Sequence, residues 1–304
     1  MTTLADLKGR IKQALQGYTR NQEQITWLAQ ATLATDTLMY VDPGTSSNLS
    51  RGLIEIEDEL ILLNTFNTQT GTFTVSAGTN GRGVEGTTPA FHQFNSIVTM
   101  DPDFPNQRIT EALNDTIRAV YPDVYAMNST EFNYAAARFE YPMPANCDSV
   151  YKVTIETIGP SKVWKTGRRW RFNPQASTHA GDGSPTGKSI QIMDPVIPGR
   201  IVRVMYKSSP NILVNNTDVY ETVTGFDSRT IDMVIYGACW RLLSSLEPAR
   251  LAQKSVEATE RAPLVPAGAA ANASQMYYRM FTERFNQEVD RLHNLFPSYS
   301  HFLA

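Results

Sequence analysis

The hydrophobic period of this chain changes again and again, and the order of those changes constrains the fold more than any single motif. Leu4, Leu7, Ile11 and Leu15 recur at helical spacing, with Thr3 placed as an N-cap and Gly17 at the end. A second segment, "NQEQITWLAQATLA", reads as a further short helix. From Thr37 the pattern shortens. "TLMYV", "GLIEIEDELILLNTF", "GTFTVSA" and "SIVTM" read as strands, and in "LIEIE" apolar residues alternate with Glu. A helical stripe then returns at Ile109, Leu113, Ile117, Val120 and Tyr121, opened by Pro105 and closed by Pro122. Residues 131–208 are strand-like again, broken by Gly, Pro, Asn and Asp clusters. From Asp227 the period is helical: Ile231, Val234, Ile235, Ala238, Leu242 and Leu246, with Pro248 marking a break. Tyr277, Phe281, Phe285, Val289, Leu292 and Phe296 share one face of a long amphipathic helix.

This order predicts an α+β chain, a helical core with two inserted β-domains. The expected parts are an N-terminal helical segment (1–36), a small β-barrel or sandwich (37–104) and a helix of the core (105–130). A β-sandwich insertion (131–210) and a C-terminal helical region with an extended tail (211–304) follow. The two β-regions share no repeat.

Bulk composition excludes several classes. The 27 basic and 30 acidic residues leave a net charge of −3, which indicates neither general nucleic-acid nor membrane binding. Two cysteines, Cys147 and Cys239, allow no disulfide framework and no zinc spacing, so a reducing compartment is expected. The start, "MTTLADLKGRIKQ", lacks the apolar run of a signal peptide. "MVIYGACW" stops at Arg241, far too short to cross a bilayer, so no membrane partner is expected.

The motifs that mimic catalytic sites fail on physical grounds. "GRGVEG" at 81–86 is G-x-G-x-x-G, but a dinucleotide turn must open a helix whose N-terminus holds the pyrophosphate. "TTPAFHQFNS" follows instead, too short for a crossover helix. The expected element is a strand-linking turn, with Arg82 and Glu85 projecting to solvent or a neighbour. "GDGSPTGKS" at 181–189 lacks the first Walker glycine, Asp182 standing there, and precedes a strand. His92, His179, His293 and His301 form no metal-ligand spacing and read as solvated or capped. Both cysteines read as inert buried thiols, and Glu55 and Glu57 as sharing a solvent face of one strand. No catalytic residue, metal or cofactor is expected. "WKTGRRWRF" at 164–172 is the one dense basic-aromatic stretch. Alternation sends Trp170 and Phe172 inward and Arg169 and Arg171 outward. Arg168, Arg169 and Arg171 are therefore the candidates to face DNA in an assembly.

Two stretches carry a resemblance. "TFTVSAGTNGRGVEGTTPAFHQFNSIVTM" resembles a loop of tailed-phage structural proteins, T-x-T-V-x-R-G-x-x-G-T-x-x-x-x-H-x-x-G-x-x-V. Arg82, Gly83, Gly86, Thr87, His92 and Val98 fill that pattern; Asn95 replaces a glycine, and "AGTN" is inserted before the core. The run from "GRIVRVMYKS" through "SRTIDMVIYGACWRLLSSLEPARL" is similar to the closing portion of head-to-tail connector (adaptor) proteins of long-tailed phages. Gly237, Ala238, Arg241, Leu242, Leu243, Glu247, Ala249 and Arg250 carry it. "YPMPANCDSVYKV" looks like the opening of the β-sandwich inserted in some of these proteins.

The resemblance implies a non-enzymatic virion protein of the phage neck, assembled in the host cytoplasm. It implies a homo-oligomeric ring, commonly a dodecamer, under the portal protein, with DNA passing through the bore without sequence specificity. A head-closure or tail-terminator protein is the implied partner below. Phe281, Phe285, Leu292 and Phe296 then pack within the subunit or against a neighbour or the portal. The tail, with Tyr299, Phe302 and Leu303, is implied to dock into the portal. Competing readings are a head-closure protein of the same neck, a carbohydrate-binding or adhesin-like protein stacking sugars on Trp164 or Trp170, and a hydrolase with an acidic cleft.

Overall fold

A computed structural model describes residues 1–18, 24–42, 52–67, 69–76, 80–157, 163–179, 184–252 and 269–297. It is a mixed α/β protein whose strand pairings, among the described residues, are antiparallel throughout. The chain divides into two compact units, one of residues 5–115 and 235–279, the other of residues 1–4, 116–234 and 280–304.

In the first unit, helix α1 (Leu4–Leu15) turns Leu7, Ile11 and Leu15 wholly inward. Strands β1 (Gln24–Trp27), β2 (Leu38–Tyr40), β3 (Gly52–Ile56), β4 (Glu59–Asn67), β5 (Thr72–Val75) and β6 (Ile97–Met100) form one sheet, ordered β1-β6-β3-β4-β5-β2. Its outer strands join at one end. Leu28 bridges Val41, Ala29 N donates to Tyr40 O at 2.8 Å, and Asp42 N donates to Trp27 O at 3.0 Å. The sheet thus curls back on itself around Met39, Ile54, Ile61, Phe73 and Val98. Closing an edge in this way removes a row of unpaired backbone groups.

Two expectations are corrected here. The segment expected as a second N-terminal helix is β1. Thr26 and Leu28 are buried while Ile25 and Trp27 are exposed, which is a period of two, and the strand pairs with β6. Ile, Thr and Trp all favour a pleated, half-buried surface, so the sheet begins at Gln24 rather than Thr37. The second concerns Glu55, which is buried rather than solvent-facing. It does point away from the strand core of Ile54 and Ile56, but Lys12 of α1 lies 3.0 Å from its Oε2. The N–H of Asn106, opening helix α2 (Asn106–Ala119), donates to Oε1. Alternation fixes the face of a strand and is silent about what packs over that face. Glu57 does stay largely exposed, in the β3–β4 turn.

In the second unit, β7 (Ala126–Asn133), β9 (Ser149–Glu156), β10 (Trp164–Thr166) and β13 (Ile201–Ser208) form a four-stranded sheet, ordered β10-β9-β13-β7. Strands β8 (Glu140–Pro142), β11 (Trp170–Asn173) and β12 (Ser189–Ile192) form a three-stranded sheet, ordered β11-β12-β8. Both sheets supply one core, with Val153, Val202 and Val204 from the first and Tyr141 and Ile190 from the second. That is a sandwich. It begins at Ala126, where the residues up to 130 were expected to belong with the helix.

Helix α3 (Tyr220–Thr224) is followed by α4 (Ile231–Ala252) and α5 (Ala269–Leu295). The α4 backbone continues through Pro248 to Ala252, so the expected break is absent; a proline removes one donor and leaves the other bonds of a 22-residue helix in place. In the first unit, Tyr277 of α5 donates to Ala14 O of α1 at 3.2 Å, and Ser274 donates to Trp240 O of α4 at 3.3 Å. In the second, Arg284 and Arg291 of α5 pair with Asp232 and Asp227.

Candidate functional site

The turn at 81–86 is built around a buried charge. Arg82, expected to project to solvent or a neighbour, is 2% exposed, and His92, read as solvated or capped, is 1% exposed with both ring nitrogens partnered. They converge on Glu59, the first residue of β4, itself 1% exposed. Arg82 Nε donates to Glu59 Oε1 at 2.6 Å and Nη2 to Oε2 at 2.8 Å. Its other N–H groups donate to Leu33 O (2.8 Å), Asp36 O (3.2 Å) and Ala90 O (2.9 Å), so the whole guanidinium fork is satisfied. Glu59 also accepts from the backbone N–H of Gly83 (3.1 Å) and Ala90 (3.0 Å). His92 Nε2 lies 2.7 Å from Glu59 Oε2, and Nδ1 lies 3.3 Å from Glu57 Oε2.

The glycines serve this node. Gly83 adopts φ +63°, and a Cβ there would stand 2.5 Å from Pro89 Cδ and 2.7 Å from Thr87 O. Thr87 Oγ1 accepts Leu60 N at 3.1 Å and donates to Val84 O at 2.9 Å. Only one short 3₁₀ turn, Val84–Gly86, follows the glycines before the chain becomes extended. No helix N-terminus is there to hold a pyrophosphate. Glu85 is the one charged side chain of the turn that reaches outward, and it pairs with Arg108 at 3.0 Å.

Burial by itself would push the Glu59 carboxyl up. Hydrogen bonds from Arg82, His92 and Ala90, and the Arg82 charge, outweigh it and bring the carboxyl down to about 2. Glu55 is driven the other way: burial raises it, against the opposing pull of Lys12 and the Asn106 N–H. A carboxylate fully engaged by one arginine, one histidine and two amides is a structural staple with no free lone pair for substrate. A usable signal for it was charge scarcity. Residues 24–104 hold nine acidic and only two basic residues, Arg51 and Arg82.

The remaining site candidates lie elsewhere. Trp170 and Phe172 pack on the sandwich core, and Arg169 and Arg171 are exposed, as alternation predicts. Arg168 is exposed beside them, and the Asp194 carboxylate accepts the N–H groups of Arg168 (2.6 Å) and Arg169 (3.2 Å). The guanidinium of Arg203 covers one face of Trp164 at 4.1 Å. On α5, the Phe281 and Phe285 rings stack at 6.0 Å, Leu292 is buried, and Phe296 meets Tyr151 edge-on at 5.4 Å. Leu292 and Phe296 are thus engaged within their own unit. Tyr299, Phe302 and Leu303 lie outside the described residues, as does Asp182 of the Walker-like loop. The strand β12 does follow that loop. Burial pushes the Cys147 thiol up to about 11 and that of Cys239 to about 12, which makes both poor nucleophiles. Among the described residues no helix is long and apolar enough to cross a membrane.

The sandwich and the long helices after it are where a family relationship is found. A model of the SU10 adaptor protein family matches residues 95–296, about two thirds of the chain. The chain belongs to the SU10 adaptor protein family. It is a phage adaptor by family, and so a virion component. No curated protein matches it. In this adaptor the match covers β6 through α5 and leaves Glu59, Arg82 and His92 outside it, so the node belongs to the part of the fold that the family model does not reach.

Proposed function

We propose that this adaptor is a structural head-to-tail connector of the virion neck. Its subunits form a ring, twelve-fold, under the portal protein. A head-closure or tail-terminator protein follows below, and packaged DNA passes through the bore without sequence specificity. The helices act as the core of each subunit, and the barrel-like sheet and the sandwich are insertions on it. Its role is architectural, with no reaction catalysed. The observation that carries this reading is the family match across the whole sandwich and the helices that follow it. The node adds support, because the most motif-like residues of the chain are used in holding a turn together.

A sugar-stacking role for the sandwich finds less support. One face of Trp164 is already covered by Arg203, and Trp170 packs against the core. Imaging the chain with its portal by negative stain tests the proposal: a ring seated on the portal is expected, and portal particles without added density refute it. Deleting residues 298–304 is expected to leave the monomer folded and to weaken portal binding. Unchanged co-assembly would sink the role of the tail.

A further inference from the structure

The two β-regions carry opposite charge. Residues 24–104, with nine acidic and two basic side chains, have a formal charge of −7; residues 126–208, with six acidic and eleven basic, have +5. Each region also exposes apolar surface. On the ladder formed by residues 24–33 and 91–100, Ile25, Trp27, Leu33, Phe91, Phe94 and Ile97 are between 39% and 68% exposed. Trp27 and Ile97 are direct cross-strand partners, so they share the outer face. Carboxylates surround this strip. Asp42 follows Val41 beside Trp27, its N–H donating to Trp27 O. Asp36 accepts from Leu33 N at 2.8 Å, and Glu57 accepts from Ser96 Oγ at 3.2 Å. Asp101 follows Met100, the partner of Gln24. Neither 24–42 nor 91–104 contains a lysine or arginine.

The sandwich presents the complement. Val163 and Met193 are exposed by half or more. Met193 N donates to Arg169 O at 2.9 Å, which seats it beside Arg168, Arg169 and Arg171. Lys165 is exposed on the same stretch. An exposed apolar strip rimmed by acids on one region, and exposed Met193 beside Arg168, Arg169 and Arg171 on the other, are complementary in charge as the two sides of a protein interface are.

We propose that the acidic strip on β1 and β6 of one copy docks on the basic surface of Arg168, Arg169, Arg171 and Met193 of a second copy. The contact is heterologous, one patch against a different patch, which is the type that closes rings. The inference rests on the ring reading above and names the surfaces that form it. Trp27 is the anchor and the charged residues are the rim, so association weakens as salt rises.

Two variants test it. The first, Trp27→Ala with Asp42→Lys, spoils the strip; the second, Arg168→Glu with Arg169→Glu and Arg171→Glu, spoils the basic face. Both change exposed positions, and circular dichroism verifies that each stays folded. In sedimentation velocity at low ionic strength the natural chain is expected to grow beyond a dimer. Each variant alone is expected to associate at least about thirtyfold more weakly. Mixed one to one, the variants are expected to form a heterodimer that grows no further, since it joins one intact strip to one intact basic face. No heterodimer, in a protein whose natural form still associates, overturns this contact and leaves the ring reading standing. A triple-glutamate variant that associates normally but loses retention of a short DNA duplex assigns the arginines to DNA and also overturns it. A natural chain that stays monomeric throughout overturns the contact, while the portal images decide the ring separately.

Discussion

Arg82→Ala is the most informative single change in the first unit. Arg82 donates five hydrogen bonds, two to Glu59 and three to the carbonyls of Leu33, Asp36 and Ala90. Truncation leaves a buried carboxylate without its countercharge, which costs about 3–5 kcal/mol. The three carbonyls add about 1 kcal/mol between them, since water enters part of the space left by the side chain. The expected loss is about 5 kcal/mol, comparable with the whole stability of a marginal domain. Urea unfolding followed by circular dichroism measures it. Arg108→Ala is the control: the Arg108–Glu85 pair is about half exposed on both sides, so about 0–0.5 kcal/mol is expected. The double variant Glu59→Leu/Arg82→Leu is expected to be more stable than Arg82→Leu alone, because no buried charge is then orphaned. A loss below about 1 kcal/mol for Arg82→Ala, with an unchanged denaturant slope, would refute the view that the node holds this sheet together.

Two further outcomes follow from the same region. Glu59 titrates near 2 when folded against 4.5 as an ordinary glutamate, so the unfolded chain binds more protons between these values. Its stabilising contribution, about 3 kcal/mol, is complete above pH 4.5 and lost as pH falls towards 2, and Glu59→Gln is expected to flatten that part of a melting-temperature profile. Gly83→Ala and Gly86→Ala separate strain from space. Both glycines have positive φ, but only at Gly83 would a Cβ collide, with Pro89 and Thr87. A loss of about 1 kcal/mol is expected at Gly86 and clearly more at Gly83 by the same unfolding assay; equal losses would show that the loop yields freely.

The periodic parts of the fold were legible. Leu4, Leu7, Ile11 and Leu15 are all fully buried on α1, and β13 alternates along its whole length, as spacing predicts. Short range explains the failures. "QITW" is four residues long and sat inside a longer polar stretch, where only its pairing with β6 distinguishes strand from helix. Glu55 and Arg82 were misjudged for a shared reason. The partners that bury them, Lys12 and Asn106 for Glu55 and Glu59 for Arg82, lie 23 to 51 positions away, which no local pattern reports. The sandwich arginines were readable because, among the described residues, Arg169 and Arg171 follow the strand's alternation and stay exposed.

The closed accounting of the Arg82–Glu59–His92 node also bears on how such a turn evolves. Every group that defines it faces inward, and the residues that face outward at the same turn, Glu85 among them, take no part in holding it. Selection acting on this signature is selection on an interior. The outer surface of the turn can therefore be substituted without touching the groups that hold it, and changes there separate surface effects from stability.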